Sequence, residues 1–243
     1  MTYNFIQTEI QDYIYILTLS RPAKRNAFTP TMVNEIAHAI QEANTLDAVK
    51  LLVLKAEGPV FCAGMDLKSF QNEEHDQANP HIRNQNISLG EVFLGLHKPS
   101  IALVEGDVIA GAFLMITACT YVYCRKQVRF RLPELNIGLF PFQVMAGLLQ
   151  VMPEKKMLQL CLHTDYFSAA EAQAYGLIDG YLEEVDQAAI FAAFKDMSTT
   201  ALRAGFKAAR QLPHIAQEQR YTFLLESLAA LKTTKDVQDK LFS

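Results

Sequence analysis

Three segments in the first quarter of the chain leave few folds open. Ile14 to Leu19 is β-branched and apolar, and Arg21-Pro22 breaks it. Thr29-Pro30 then combines a hydroxyl N-cap with proline at the first helical position. Met32, Ile36, Ile40 and Ala43 follow at helical spacing and give one apolar stripe. Val49 to Lys55 is nearly continuous apolar sequence, the pattern of a strand covered on both faces. Strand, helix, strand in that order predicts a parallel βαβ unit, because parallel strands need a long crossover. At 243 residues, half of them apolar, the chain exceeds the commonest domain size yet fits one α/β domain with a helical extension.

Further along, Ser100 to Val104 and Tyr121 to Cys124 read as strands, and Gly111 to Cys119 as a helix packed deep inside. Residues 71–88 are polar around Asn79-Pro80 and are expected to form a mobile loop, either a surface linker or a substrate lid. Ser168-Ala169-Ala170-Glu171 has capping-box spacing, and Gly176 closes that short helix. From about Asp186 onward Ala, Glu, Lys, Gln and Leu dominate, so a core over 1–185 is expected to carry a helical region over 186–243.

The net charge of −4 gives no global attraction to nucleic acid or anionic membrane, and no basic stripe supports RNA binding. No apolar run approaches membrane-spanning length. Cys62, Cys119, Cys124 and Cys161 form no Cys-x-x-Cys pair, and no His stands at zinc-ligand spacing, so reduced thiols and no metal are expected. The chain opens Met-Thr-Tyr-Asn and runs directly into strand-like sequence, which makes a cytoplasmic location the default expectation.

Chemistry concentrates in two glycine-containing stretches and one acid. In Phe61-Cys62-Ala63-Gly64-Met65-Asp66-Leu67, Gly64 permits a tight turn that frees the Met65 N–H from any sheet ladder. In Glu105-Gly106-Asp107-Val108-Ile109-Ala110-Gly111-Ala112, Gly111 opens an apolar helix whose first N–H groups lack intrahelical partners. Either stretch alone is as well read as an ordinary turn. Together, with Glu134 following in Arg131-Leu132-Pro133-Glu134-Leu135-Asn136-Ile137-Gly138, they are equipment for making an enolate: two donors on one oxyanion and a carboxylate nearby.

These segments, and Leu135-Asn136-Ile137-Gly138-Leu139 after Glu134, resemble the crotonase superfamily, the enoyl-CoA hydratases and isomerases. Leu19-Ser20-Arg21-Pro22-Ala23-Lys24-Arg25-Asn26-Ala27 is similar to that family's first strand-turn, and Phe167 to Ile178 to the helical segment after its core. The resemblance covers roughly residues 10–210 and implies an α/β fold with a crotonase-like ββα-repeat core, a spiral, and a helical C-terminal extension. It implies that Met65 and Gly111 offer their amides to an acyl-thioester oxygen and that Glu134 is the acid/base facing the α-carbon. It places Ala23, Lys24, Arg25, Ala63, Gly64, Asp66 and Leu67 along the coenzyme A cleft. No permanently bound cofactor is implied, coenzyme A arriving as part of an acyl-CoA, or an acyl-carrier-protein, thioester. A homotrimer or hexamer is implied, with the C-terminal helices at the contacts and a place in fatty acid metabolism.

Several departures from the pattern bear on the reaction. The family's hydratases use two glutamates to activate one water, and the second position falls at Leu114. Double-bond isomerisation needs only one carboxylate, so the isomerase reading is preferred over hydratase-like, decarboxylase or thioester hydrolase activity. A catalytically inactive binding or assembly protein is the alternative of another class. Dienoyl-CoA isomerases carry a further aspartate where this chain has Phe142. Phe140 and Phe142 stand where the family often has a glycine-rich turn, and either reshape the acyl pocket or fill the core. Arg131 is expected to point to solvent, since contact with Glu134 would weaken the base. Leu132, Leu135 and Ile137 are expected to bury Glu134. The ending Leu241-Phe242-Ser243 lacks the family's basic-aromatic tail, which puts contacts from a neighbouring subunit to the adenine end in doubt.

Overall fold

In the computed structural model, which describes residues 1–242, the expected strand–helix–strand unit is present. Strand β1 (Ile6–Gln11) pairs antiparallel with β2 (Ile14–Leu19), helix α1 (Pro30–Thr45) crosses over, and β3 (Leu51–Ala56) returns parallel to β2. The Thr29 hydroxyl accepts the Met32 N–H at 3.1 Å, the cap its sequence promised. At the other end of α1 the buried Lys98 ammonium donates to the Leu46 carbonyl at 2.5 Å, a cation on a helix C-terminus. Burial pushes the Lys98 pKa down to about 8.

From β3 onward the chain repeats one step three times, a strand in each of two sheets followed by helix, β3 serving as the first strand of the first step. β4 (Val60–Cys62) leads to α2 (Leu67–Gln71) and α3 (Leu89–Leu94). β5 (Ser100–Val104) and β6 (Asp107–Ile109) lead to α4 (Phe113–Ile116). β7 (Tyr121–Cys124) and β8 (Arg129–Arg131) lead to α5 (Phe142–Val151) and α6 (Glu154–Cys161). β9 (Phe167–Ser168), α7 (Ala169–Ala174) and β10 (Gly180–Tyr181) complete the two sheets. The first has the order β1-β2-β3-β5-β7-β10 and the second β4-β6-β8-β9. This is the ββα spiral the motifs implied, followed by helices α8 (Gln187–Ala192), α9 (Thr199–Gln211), α10 (Arg220–Lys232) and α11 (Lys235–Phe242). Ser243, the last residue of the expected helical region, lies outside the described residues.

The apolar run of β3 has the two-sided cover it implied. Leu52 and Leu54 join the main core, while Leu51 and Val53 join a second cluster with Ile16, Ile101 and Phe194 on the opposite face. Both halves of the capping box at Ser168 and Glu171 are made, and Gly176 adopts φ 78° after α7.

Two expectations need correction. Gly111 to Cys119 is not one helix: a 3-10 turn, Ala110–Ala112, precedes only four α-helical residues, Phe113–Ile116. Phe113 to Ile116 are entirely buried and the chain must leave at once for β7, so the run is apolar without being long. Residues 71–88 are neither a free linker nor a lid on the site. Asp76 accepts the Thr31 N–H at 2.7 Å, Asn34 and Gln85 exchange two hydrogen bonds, and Asn79 donates to the buried Glu35 at 2.7 Å. The side chains of Asp76, Asn79 and Asn84, polar residues that made this segment read as mobile, fasten it to α1, and Gln85 does so through its backbone.

Candidate active site

Phe28 organises the first turn. Its N–H donates to the Gly64 carbonyl at 2.9 Å, and its carbonyl accepts the Asp66 N–H at 2.9 Å. That is one parallel bridge between Phe28 and Met65, and it directs the Met65 amide away from Phe28, out of any ladder. Gly64 makes the turn possible at φ 86°, and the Cys62 sulfur accepts its N–H at 3.4 Å. Phe28 also meets the second turn through its ring, since a Cβ added to Gly111 would lie 2.8 Å from Cζ. One residue thus holds the first donor by its backbone and packs against the second.

The two turns are in direct contact. A Cβ on Gly64 would lie 3.2 Å from the Gly111 nitrogen and 2.7 Å from the Ala110 Cβ. Ala110 reaches this position with φ 55°, a left-handed conformation uncommon for alanine, and so stores local strain next to the donor. The Gly111 N–H, in the first turn of the 3-10 segment, has no intrahelical acceptor.

Glu134 opens the 3-10 turn Glu134–Ile137 after β8, closed by Gly138 at φ 76°. Its Oε2 is buried and has no hydrogen-bond partner. Burial raises its pKa above the ordinary glutamate value. The surroundings differ from expectation: Leu132 is buried, but Leu135 is 37% and Ile137 62% exposed, so neither supplies the burial, and Ile137 lines the cavity instead. Beside Glu134 lies the Cys161 thiol, pushed up to about 11 by its own burial and then by the Glu134 charge. Arg131 is turned away from Glu134 but is not free in solvent. Its Nε donates to the Thr164 carbonyl at 2.7 Å, and its guanidinium lies 5.1 Å from the Tyr166 ring centroid.

Met65, Gly111 and Glu134 line a single cavity of about 440 Å³. Leu114, Phe140 and Phe142 line it too, with Ala63 and Leu67 at its edge. Phe140 and Phe142 form a tilted ring pair 5.5 Å apart, and Phe142 is 75% exposed, so it walls the mouth rather than filling the core. The remaining cleft residues flank the cavity without lining it. Ala23 and Lys24 sit in the turn Pro22–Lys24, Arg25 follows at φ 52°, and the Arg25 carbonyl accepts the Ala63 N–H at 3.0 Å. Asp66 is paired with Arg21 at 2.8 Å; burial opposes its charge, but the Arg21 hydrogen bond and charge outweigh that and lower its pKa.

Sequence reasoning passed over Asn26, Phe28 and Ala110. Asn26 is fully buried at φ 51°, donates to the Glu57 and Val60 carbonyls and accepts the Arg21 N–H. An asparagine directly after the basic pair Lys24-Arg25 and close behind the strand break at Arg21-Pro22 was the available signal, since asparagine tolerates left-handed backbone. Nothing local marks Phe28, whose role exists only once the turns meet. Among the described residues there is no group of three or more His, Cys, Asp or Glu able to hold a metal, and no helix is long and apolar enough to cross a membrane.

The family model described as enoyl-CoA hydratase/isomerase matches residues 9–236. A hydroxycinnamoyl-CoA hydratase-lyase of Pseudomonas fluorescens is 29% identical over 181 residues, which span 72% of this chain and 65% of that protein, just under two thirds of its length. The enoyl-CoA hydratase domain-containing protein 3 of Rattus norvegicus is 25% identical over 236 residues, 96% of this chain and 79% of that one. Among solved structures, an enoyl-CoA hydratase of Mycobacterium smegmatis superposes with a TM-score of 0.82 at 21% identity, covering 98% of this chain and 95% of the other.

Proposed function

The chain belongs to the enoyl-CoA hydratase/isomerase family, the crotonase superfamily, and from that premise we propose that it processes acyl-CoA thioesters by double-bond isomerisation. One observation carries this reading. The cavity holding Met65, Gly111 and Glu134 offers a single acid, and the wall beside it is Leu114.

In this reading the thioester oxygen sits between the Met65 and Gly111 amides, with Ala63, Gly64, Asp66, Leu67 and the Ala23–Arg25 turn along the coenzyme A portion. The Glu134 carboxylate takes a proton from the carbon next to the thioester, and charge moves onto the thioester oxygen. A carboxylate is a far weaker base than a thioester enolate, and each pKa unit of mismatch costs about 1.36 kcal/mol. Burial of Glu134 narrows that gap and the two amides narrow it further, each worth about 3 kcal/mol as charge develops. Protonated Glu134 then returns the proton two carbons away. Leu114 neither ionises nor hydrogen-bonds, so it gives no help to Glu134 in holding a catalytic water.

Incubating the protein with 2-enoyl-CoA and 3-enoyl-CoA esters tests this directly. A migrated double bond is expected. Hydroxyacyl-CoA as the main product would instead support the hydratase-like alternative, and released coenzyme A a hydrolase. No product with bound ester would mean a binding protein. On the same premise, the region 186–243 is the assembly region of a homotrimer or paired trimers; the unpaired cysteines favour, separately, a reducing, cytoplasmic compartment.

A further inference from the structure

Behind the cavity with the two amides and Glu134 lies a second one of about 290 Å³, between α3, α4 and α5. Leu114 is 5% exposed and lines both; Gln143 is the other residue common to the two linings. The seat for the Leu114 side chain is made by Gly90 in the first turn of α3, where an added Cβ would come within 3.3 Å of the leucine Cδ2. Leu114 is therefore a partition held in place by an absent side chain.

The second cavity suits hydrocarbon rather than water. Gly90, Leu94, Ala146 and Gly147 are among its walls. Of its polar groups, Thr117 donates to the Phe113 carbonyl at 2.8 Å, Ser88 donates to Gln143 at 3.2 Å and Glu91 accepts the Ser88 N–H at 3.1 Å, while Gln150 is exposed to solvent. A chamber whose hydroxyls are already hydrogen-bonded gains by accepting an alkyl chain, since burying methylenes is favourable.

We propose that Leu114 sets the acyl-chain length this protein accepts, by closing off a preformed apolar annex behind the thioester cavity. This rests on the acyl-thioester reading of the site and adds to it the substrate class, a short acyl group that ends at Leu114. Removing the isobutyl group joins the two cavities, while crowding it from Gly90 drives it toward the thioester cavity.

The test is equilibrium binding of a series of saturated straight-chain acyl-CoA esters from four to twelve carbons, which does not depend on the reaction catalysed. Wild type, L114A and G90A are compared, with thermal melts confirming that each is folded. Wild type is expected to lose affinity beyond a short optimum. L114A moves that optimum to longer chains, each added methylene gaining roughly fourfold until the annex is full. G90A, where alanine also suits a helix, shortens it. Identical length profiles in the three proteins, or a uniform loss across all chain lengths in L114A, would overturn the partition while leaving the thioester reading standing. Absence of acyl-CoA binding in wild type would overturn both. If L114A does not fold, G90A alone decides, an unchanged profile counting against the proposal.

Discussion

Gly64 answers two demands, and one methyl group separates them from the rest of the site. Its φ of 86° disfavours any other residue, and an added Cβ meets Ala110 at 2.7 Å and the Gly111 nitrogen at 3.2 Å. G64A is expected to destabilise the fold by about 1–3 kcal/mol and to lower kcat on the order of a hundredfold, as loss of one oxyanion donor does. Thermal melts and steady-state kinetics read the two effects separately, and a wild-type kcat would remove the amides from the mechanism. M65A should cost less than about tenfold in kcat, because the Met65 side chain is 38% exposed and its amide does the work. For Glu134, burial raises the pKa, so the base form is lost at a higher pH than for an ordinary glutamate. The acid limb of kcat/KM should therefore lie above the usual value of about 4.3, and E134Q should abolish turnover while retaining ester binding. The sign for stability is opposite. A raised folded pKa means that stability is lost as pH rises past the unfolded value, so E134Q should melt higher at neutral pH, with the difference shrinking toward pH 4. The identities of these residues were readable from glycine spacing and a lone acid. Their surroundings were not: the exposure of Leu135 and Ile137 and the docking of Arg131 on Tyr166 depend on contacts distant in sequence.

Secondary-structure elements were the most legible level, because period, caps and breakers act locally. Ser100–Val104 and Tyr121–Cys124 appear with the ends their residues announced, and α1 begins at its Thr-Pro signal. The segment over 71–88 shows where local reading stops. Polar composition marks a surface segment, but whether its side chains face solvent or a neighbouring helix is a tertiary matter. Its anchor is Glu35, which is fully buried and accepts from the Asn4 and Phe5 amides and from Asn79. E35A leaves three donors without an acceptor and is expected to cost about 3 kcal/mol or more. Since no residue of 71–88 lines the thioester cavity, kcat of the folded variant should stay within about threefold of wild type. Chemical denaturation and kinetics on one preparation check both halves.

Across the whole molecule, the two-sheet spiral brings the turns at Gly64 and Gly111 into van der Waals contact, and the helices after it carry an apolar face to the surface. Tyr221, Leu225 and Leu228 lie on one side of α10 and are 87%, 68% and 47% exposed. On the proposed assembly, wild type should sediment as a trimer or hexamer and L225E as smaller species, because a buried unpaired carboxylate is strongly unfavourable. A monomer at micromolar concentration for wild type would sink the assembly reading. By itself the sequence determined the first strand–helix–strand unit, the strands at Ser100–Val104 and Tyr121–Cys124, the two glycine turns and the single acid, since propensity, capping and left-handed backbone are properties of a few neighbouring residues. Only the tertiary structure decided that Phe28 serves both turns, that Leu114 divides two cavities and that residues 71–88 are fastened to α1. Those relations join groups whose distance is set by closure of the entire fold, and no local pattern encodes where a side chain ends once the chain has folded around it.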